Sequence, residues 1–127
     1  MALAEDLIPE DLTEPFQSLA KELGVGVVIK LSQSLGGETV YIPRRRFGAG
    51  HRVVKAIGET DSERFRRLCV EQFLYINVPT LKSLEQLLTH RQIREAIASG
   101  EKVADIAKRF QISRLAMNRH CRKAGIN

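Results

Sequence analysis

The chain has 127 residues, a hydrophobic fraction of 43% and a formal net charge of +5, enough for one ordinary domain or two small ones. The charge is uneven, with net −5 over residues 1–40, +4 over 41–88 and +6 over 89–127. No apolar run approaches the ~20 residues of a membrane span, and the acidic N-terminus lacks a signal peptide's basic start. We therefore expect a cytoplasmic protein that contacts no membrane, with a basic C-terminal part suited to nucleic-acid phosphates.

Motifs for catalysis and metal binding are missing from the sequence. Cys69 and Cys121 form no C-x-x-C pair and are expected to be reduced core thiols. The three histidines are too scattered for a helix-borne metal pair, and no nucleophile elbow, P-loop or G-x-G-x-x-G occurs. The sequence thus predicts a protein that is not an enzyme and that needs no cofactor and no metal.

The first predicted elements are two helices. Residues 1–12 look irregular and acidic, and Thr13 is a candidate cap for a helix with Pro15 in its first turn. The apolar stripe of that helix is Phe16, Leu19, Ala20 and Leu23. A second helix is predicted from about Val25 to Leu35, and the glycine pair Gly36-Gly37 ends it.

Residues 38–42 predict a short strand, with Val40 and Ile42 facing one way and Thr39 and Tyr41 the other. Pro43 stops it, and a lone strand of this size is not stable. The sequence offers no equally good second strand. We therefore expect a symmetric homodimer in which each subunit contributes one strand. Pairing with an irregular stretch of its own chain is the alternative.

A cluster of three arginines, Arg44, Arg45 and Arg46, follows the strand. It is a candidate for contact with DNA phosphates or for insertion into a narrow minor groove, and the alternative is a solvated turn. The glycine loop Phe47–His51 behind it is expected to be a surface loop rather than a phosphate cradle. Residues 63–75 then have helical apolar spacing, Pro79 interrupts it, and Leu81 begins another helix.

The segment from Gly100 to Lys123 predicts a helix-turn-helix. Val103, Ile106, Ala107 and Phe110 lie at i, i+3, i+4 and i+7, on one face of a first helix. Gln111 occupies the turn, where a left-handed backbone usually favours glycine or asparagine, and Ser113 can cap the second helix. The predicted inner face of that helix is Ala116, Met117 and His120 or Cys121.

The outer face of the second predicted helix carries Arg114, Leu115, Asn118, Arg119 and Arg122. Such a helix enters the DNA major groove, where arginine and asparagine can make paired hydrogen bonds to guanine or adenine. We predict base contacts for Arg114, Asn118 and Arg119, and phosphate contacts for Ser113 and Arg122. The alternative is an ordinary helical pair with solvated arginines.

A predicted helix is followed by Leu35–Arg44, with the core G-G-x-x-V-Y-I-P-R, and then by a C-terminal helix-turn-helix. This order of elements resembles the Mor transcription-activator family of Mu-like bacteriophages. The resemblance covers about residues 25–44 and 89–123. It implies a homodimer with an antiparallel ribbon of one strand per subunit, which binds a dyad upstream of a promoter and engages host RNA polymerase. It also implies that Gly36, Gly37, Tyr41 and Arg44 lie near the central DNA. The chain departs from the family pattern by some 40 extra residues after the strand.

The sequence thus predicts a mainly α protein with one short strand, in three regions: a dimerisation region at 1–44, a helical insert at 45–88 and a helix-turn-helix domain at 89–127. The predicted function is sequence-specific binding of double-stranded DNA for transcription activation at the bacterial nucleoid. A repressor or architectural protein with the same fold is one alternative. The DNA-binding tail of a serine recombinase is another, although a front of about 90 residues does not supply the catalytic domain that such enzymes need.

Overall fold

The computed structural model describes residues 3–123, so the outer ends of the predicted 1–44 and 89–127 regions, residues 1–2 and 124–127, lie outside the described residues. The structure is mainly helical with one small two-stranded sheet. In chain order the elements are α1 (Leu3–Asp6), a 3-10 helix (Pro9–Asp11), α2 (Phe16–Leu23), α3 (Val25–Leu35), β1 (Thr39–Tyr41), α4 (Arg52–Ile57), α5 (Glu59–Cys69), β2 (Tyr75–Asn77), α6 (Leu81–Ala98), α7 (Val103–Arg109) and α8 (Arg114–Lys123).

The chain forms two compact units, Met1–Glu85 and Gln86–Asn127, hereafter unit 1 and unit 2. Their boundary falls inside α6. Among residues 3–123, none of the helices combines the length and the apolar character needed to cross a membrane.

The core of unit 1 forms around α3, whose predicted bounds are confirmed. Val28, Leu31 and Leu35 have almost no exposed surface, and each such burial stabilises the fold by about 1.5–3 kcal/mol. Helix α2 packs against α3, and the rings of Phe16 in α2 and Phe65 in α5 lie 6.2 Å apart. Leu31 is buried by its own chain, so its side chain is not exposed for contact with a second subunit.

The N-terminal segment is more ordered than the sequence predicted. Residues 1–12 were expected to be irregular, yet α1 and the 3-10 helix form there and α1 packs against α3. The apolar side chains of Leu3, Leu7 and Leu12 are buried, which compensates for the acidic composition around them. Thr13 caps nothing with its side chain, since α2 begins at Phe16 after Pro15.

The strand β1 finds its partner within the chain. It pairs antiparallel with β2, with Val40 opposite Ile76 and Tyr41 opposite Tyr75. The expectation of a single strand completed by a second subunit is therefore wrong. The inward and outward alternation of β1 is confirmed, because Val40 and Ile42 are buried while Thr39 and Tyr41 are exposed.

The glycine pair before β1 is required by the backbone. A Cβ on Gly36 would lie 2.5 Å from the Ser32 carbonyl oxygen and 3.1 Å from Thr80 Cα, so no side chain fits there. Gly37 has a φ of +84°, in the region that favours glycine. The Gly37 N–H then donates to the Val78 carbonyl at 2.8 Å, which aligns β1 with β2.

Helix α5 is shorter than the helical spacing of residues 63–75 predicted. It ends at Cys69, and Tyr75, the last residue of the predicted helix, begins β2. Cys69 is completely buried. Burial, with a smaller contribution from Glu14, raises the pKa of its thiol from 9.0 to about 12.

Unit 2 is built around one apolar cluster. Its buried members come from α6, α7 and α8: Ile93, Ala96, Ile97, Ile106, Met117 and Cys121. Three side chains of α7 and the following turn, Ala107, Phe110 and Ile112, pack against this cluster. Gly100, with a φ of +87°, makes the turn between α6 and α7.

Candidate nucleic-acid interface

The outward face of α8 concentrates positive charge. The structure brings Arg114, Asn118, Arg119 and Arg122 together as exposed residues of this helix, with the exposed Leu115 among them. In the part of the chain that the structure describes, the three arginines take part in no ion pair, and α8 contains no acidic residue. Their guanidinium groups are therefore free to bind an external partner. The predicted division of α8 into an outer polar face and an inner buried face is confirmed.

The start of α8 is fixed by a cap and a tight turn. Ser113 Oγ accepts a hydrogen bond from the Ala116 N–H at 3.1 Å, as predicted. Gln111 has a φ of +54°, which confirms the left-handed turn and costs a non-glycine residue about 1–2 kcal/mol. Ile112 then donates its N–H to the Ala107 carbonyl at 3.0 Å, which ties the turn to α7.

The inner face of α8 is held by packing and by a histidine pair. Met117 and Cys121 join the cluster of unit 2, while the His120 ring meets the ring of His90 in α6 edge-on, with centroids 5.0 Å apart. Burial lowers the pKa of both imidazoles, and the nearby cations Lys123 and Arg94 lower it further, as does His90 for His120. Both rings are therefore uncharged at neutral pH. This contact explains how a histidine is accommodated on the inner face of α8.

Helix α7 departs from its predicted inner face at one residue. Ile106 is fully buried and Ala107 is partly buried, but Val103 is 41% exposed. Val103 begins the helix directly after Lys102, so it lies before the point where α7 meets the cluster. At the other end of α7, Arg109 binds Glu101 at 3.1 Å and lies over the Phe110 ring.

The predicted basic cluster forms an exposed turn in unit 1, and we call Arg44–Arg46 the basic turn. All three residues are exposed, and none has an ion-pair partner among residues 3–123. Behind it, Phe47 is buried and stacks near His51, whose Nδ1 accepts from the Val53 N–H and begins α4. The adjacent glycine loop thus has a structural function in addition to its exposed surface.

The backbone of the basic turn is held by Arg66 of α5. One terminal nitrogen of Arg66 donates to the Arg44 carbonyl at 2.7 Å and to the Pro43 carbonyl at 3.4 Å. Its other nitrogens donate to the Glu63 carboxylate at 2.9 and 2.7 Å. The hydrogen bond from Arg66 is the main reason that the pKa of Glu63 is lowered from 4.5 to about 2.

Tyr41, which the Mor resemblance places near DNA, lies on the exposed face of the two-stranded sheet of β1 and β2, which we call the ribbon. Its ring contacts that of Tyr75 edge-on, with centroids 5.4 Å apart. Tyr41 is 49%, Tyr75 57% and Leu74 61% exposed. The ribbon therefore presents an apolar, aromatic surface. The adjacent Gly36 and Gly37 are needed for the close backbone approach and the positive φ at this turn.

The sequence interpretation missed the arginines of α5. Arg64 and Arg67 line a cleft of about 540 Å³ together with Arg46 of the basic turn. Their signal in the sequence is the run E-R-F-R-R at residues 63–67, in which charged residues surround the buried Phe65. Among the described residues, no group of three or more histidine, cysteine, aspartate or glutamate side chains could hold a metal ion.

Comparison of the chain with protein-family models, with curated protein sequences and with solved structures gives no match in any of the three. The resemblance to Mor-type activators therefore stays a prediction from the sequence.

Proposed function

We propose that this chain binds double-stranded DNA sequence-specifically and regulates transcription in the bacterial cytoplasm, without catalysis. Helices α7 and α8 would form a helix-turn-helix, with α8 in the major groove. The observation that carries the proposal is the face of α8, where three unpaired arginines and an asparagine are exposed on a helix that is anchored by its opposite side. These side chains are long or polar enough to reach base edges and phosphates.

The residue assignments follow from position along α8. Arg114, Asn118 and Arg119 are proposed for base edges, and Arg122 for phosphate. Ser113 already accepts a hydrogen bond through its oxygen, but its hydroxyl proton remains available for a phosphate oxygen. In unit 1, Arg44, Arg45, Arg46 and Tyr41 are proposed as additional DNA contacts.

The decisive experiment is selection of bound duplexes from random DNA, followed by substitution of Arg119. We expect an enriched motif, and we expect Arg119→Ala to lower specific affinity by about 1–3 kcal/mol and to relax preference at one base position. If the selection enriches no sequence, the proposed function is wrong. Equal loss on all sequences would make Arg119 a phosphate contact instead.

The variant Arg119→Lys is the matched control. It keeps the charge but loses the planar fork that pairs with a guanine edge. We expect it to retain non-specific affinity and to lose the base preference. Binding of the wild type should also weaken with salt, with a slope equivalent to roughly 6–10 phosphate contacts for a dimer, because counterions are released.

Homodimer formation, activation and contact with host RNA polymerase enter the proposal through the resemblance to Mor-type activators. Because β1 is paired within the chain, the subunit contact would not be the predicted strand pair. Light scattering of the wild type measures the oligomeric state, and a dyad in the selected motif would support a dimer on DNA. A reporter promoter carrying the motif separates activation from repression, since the two change expression in opposite directions.

A further inference from the structure

A second positively charged surface lies in unit 1, and we call it the arginine cleft. It has a volume of about 540 Å³, and its charged lining consists of Arg46 from the basic turn and Glu59, Glu63, Arg64 and Arg67 from α5. Every lining residue lies between residues 46 and 67, so the cleft belongs entirely to unit 1.

The charges of the arginine cleft do not cancel. Glu63 is already bound by Arg66 at 2.7 Å and by Arg67 at 3.3 Å. Arg46 and Arg64 are exposed and have no ion-pair partner among residues 3–123. Glu59 is a single opposing charge. The free capacity of the cleft therefore favours an anion, and two guanidinium groups suit the oxygens of phosphate.

The wall of the cleft is organised before any ligand binds. Arg66 holds the carbonyls of Pro43 and Arg44, and its own position is fixed by two hydrogen bonds to Glu63. The side chains of Arg66 and Glu63 are only 12% and 20% exposed. This arrangement fixes the backbone at residues 43 and 44, just before Arg46, and less ordering on binding means higher affinity.

We propose that the arginine cleft binds phosphate groups through Arg46 and Arg64, and that the DNA backbone supplies them. The inference rests on the proposed function, and it extends the proposed DNA contact of Arg46 to a phosphate site shared with Arg64, separate from base recognition by α8. Arg66 and Glu63 act as positioning residues for this contact. A free phosphate ester has the same chemistry as the backbone, so the experiment must distinguish the two sources.

The first arm compares two double variants that each remove two positive charges from unit 1. Arg46→Gln/Arg64→Gln alters the cleft, whereas Lys21→Gln/Lys30→Gln alters exposed residues of α2 and α3. We expect the cleft variant to lose roughly tenfold in affinity for selected and random duplexes alike, and its salt slope to fall by about 2 per subunit. The control variant should bind as the wild type does. Thermal unfolding followed by circular dichroism checks that both variants are folded.

Rescue by lysine separates phosphate contact from base reading. Arg46→Lys/Arg64→Lys keeps both charges, so it should recover most of the affinity and the salt slope. Arg119→Lys, by contrast, should not recover the base preference. An unchanged affinity and slope in the glutamine variant would overturn the inference while leaving the proposed function in place. So would a loss confined to the selected sequence, since that is the behaviour of a base contact.

The second arm titrates the wild type with inorganic phosphate and follows the side-chain Nε–H signals of Arg46 and Arg64 by NMR. If the protein binds no DNA but phosphate shifts these two signals, the proposed function fails and the phosphate site stands, with a small phosphate ester as its ligand. If neither DNA nor phosphate shifts them, the cleft is not a phosphate site and the inference is wrong.

Discussion

The two units differ in how their structure is maintained. Unit 1 combines several fully buried side chains, among them Leu19, Leu31 and Phe65, with the hydrogen-bonded pair Glu63–Arg66. Within the described residues, unit 2 is held together mainly by a cluster of six buried residues. Unit 2 is close to the size of about 40 residues below which domains usually need extra support. We therefore expect the unit proposed to read bases to have the smaller reserve of stability.

The largest expected effect comes from removing one buried side chain in each unit. Ile106→Ala and Leu31→Ala both leave a cavity that costs about 2–5 kcal/mol. We expect the first to unfold unit 2 and the second to leave unit 1 folded but weaker. Hydrogen exchange at amides of α8 and α3 measures the two units separately. If both variants lose protection equally in α3 and α8, the two units unfold as a single cooperative unit, and they do not differ in stability as expected.

The next effect concerns the ion pair of unit 1. Glu63→Gln weakens the hydrogen bonds that Arg66 makes, and should lower the free energy of unfolding by about 1–3 kcal/mol at pH 7. The folded-state pKa of Glu63 is about 2 against an ordinary 4.5. The stabilisation is therefore fully present above pH 4.5 and is lost as the pH falls from there towards 2.

Chemical denaturation of wild type and Glu63→Gln at several pH values tests this. The difference between the two proteins should narrow below pH 4.5. Glu22→Gln on the exposed side of α2 is the control and should show no such narrowing. A difference that is constant from pH 7 to pH 3 would contradict the proposed strength of the pair.

A smaller effect should strengthen unit 2. Gln111 adopts a φ of +54°, so Gln111→Gly should stabilise the unit by about 1 kcal/mol. Glycine avoids the backbone strain at this φ, but its greater entropy in the unfolded chain offsets part of the gain. Gly100→Ala is the opposite test, because Gly100 has a φ of +87° and open space around its Cα. Gly100→Ala should lower the melting temperature of unit 2, whereas Gln111→Gly should raise it. A decrease for Gln111→Gly would mean that its side chain stabilises the turn.

The smallest effect is a pH dependence confined to unit 2. The folded-state pKa values of His90 and His120 lie below the ordinary 6.5, chiefly because of burial. The unfolded chain then binds more protons, so unit 2 should lose stability as the pH falls below 6.5. Amide exchange of α8 between pH 7.5 and 5.5, corrected for intrinsic rates, follows this. The variant His90→Gln/His120→Gln should remove this pH dependence. If the stability of unit 2 in the variant changes with pH as in the wild type, groups other than these histidines cause the dependence.

Sequence reasoning was most successful in unit 2. The 3.6-residue spacing of Ile106, Met117 and Cys121 predicted which faces of α7 and α8 are buried, because both helices follow a local amphipathic pattern. The positions of Gln111 and Ser113 predicted the turn and the cap, since each depends on the backbone of its own segment. Of the residues singled out, Val103 was placed wrongly on the buried face.

Unit 1 was less predictable because its interactions connect distant residues. Strand β2 has only three residues and follows a helical pattern, so Tyr75 was assigned to a helix although Tyr75, Ile76 and Val78 before Pro79 favour a strand. The hydrogen bond from Arg66 to the Arg44 carbonyl spans 22 residues. No local pattern indicates it, so the arginine cleft could not be derived from the sequence.

The pairing of β1 with β2 has a consequence for the order of folding. The hydrogen bond between Thr39 and Asn77 joins residues 38 positions apart, and the intervening chain must close into a loop before the ribbon exists. Unit 2 makes its contacts between helices that follow one another in the chain. Since non-local contacts slow folding, the helices of unit 2 should form before the ribbon of unit 1 closes. During synthesis the order can reverse, because residue 77 leaves the ribosome before residues 86–127, which form unit 2.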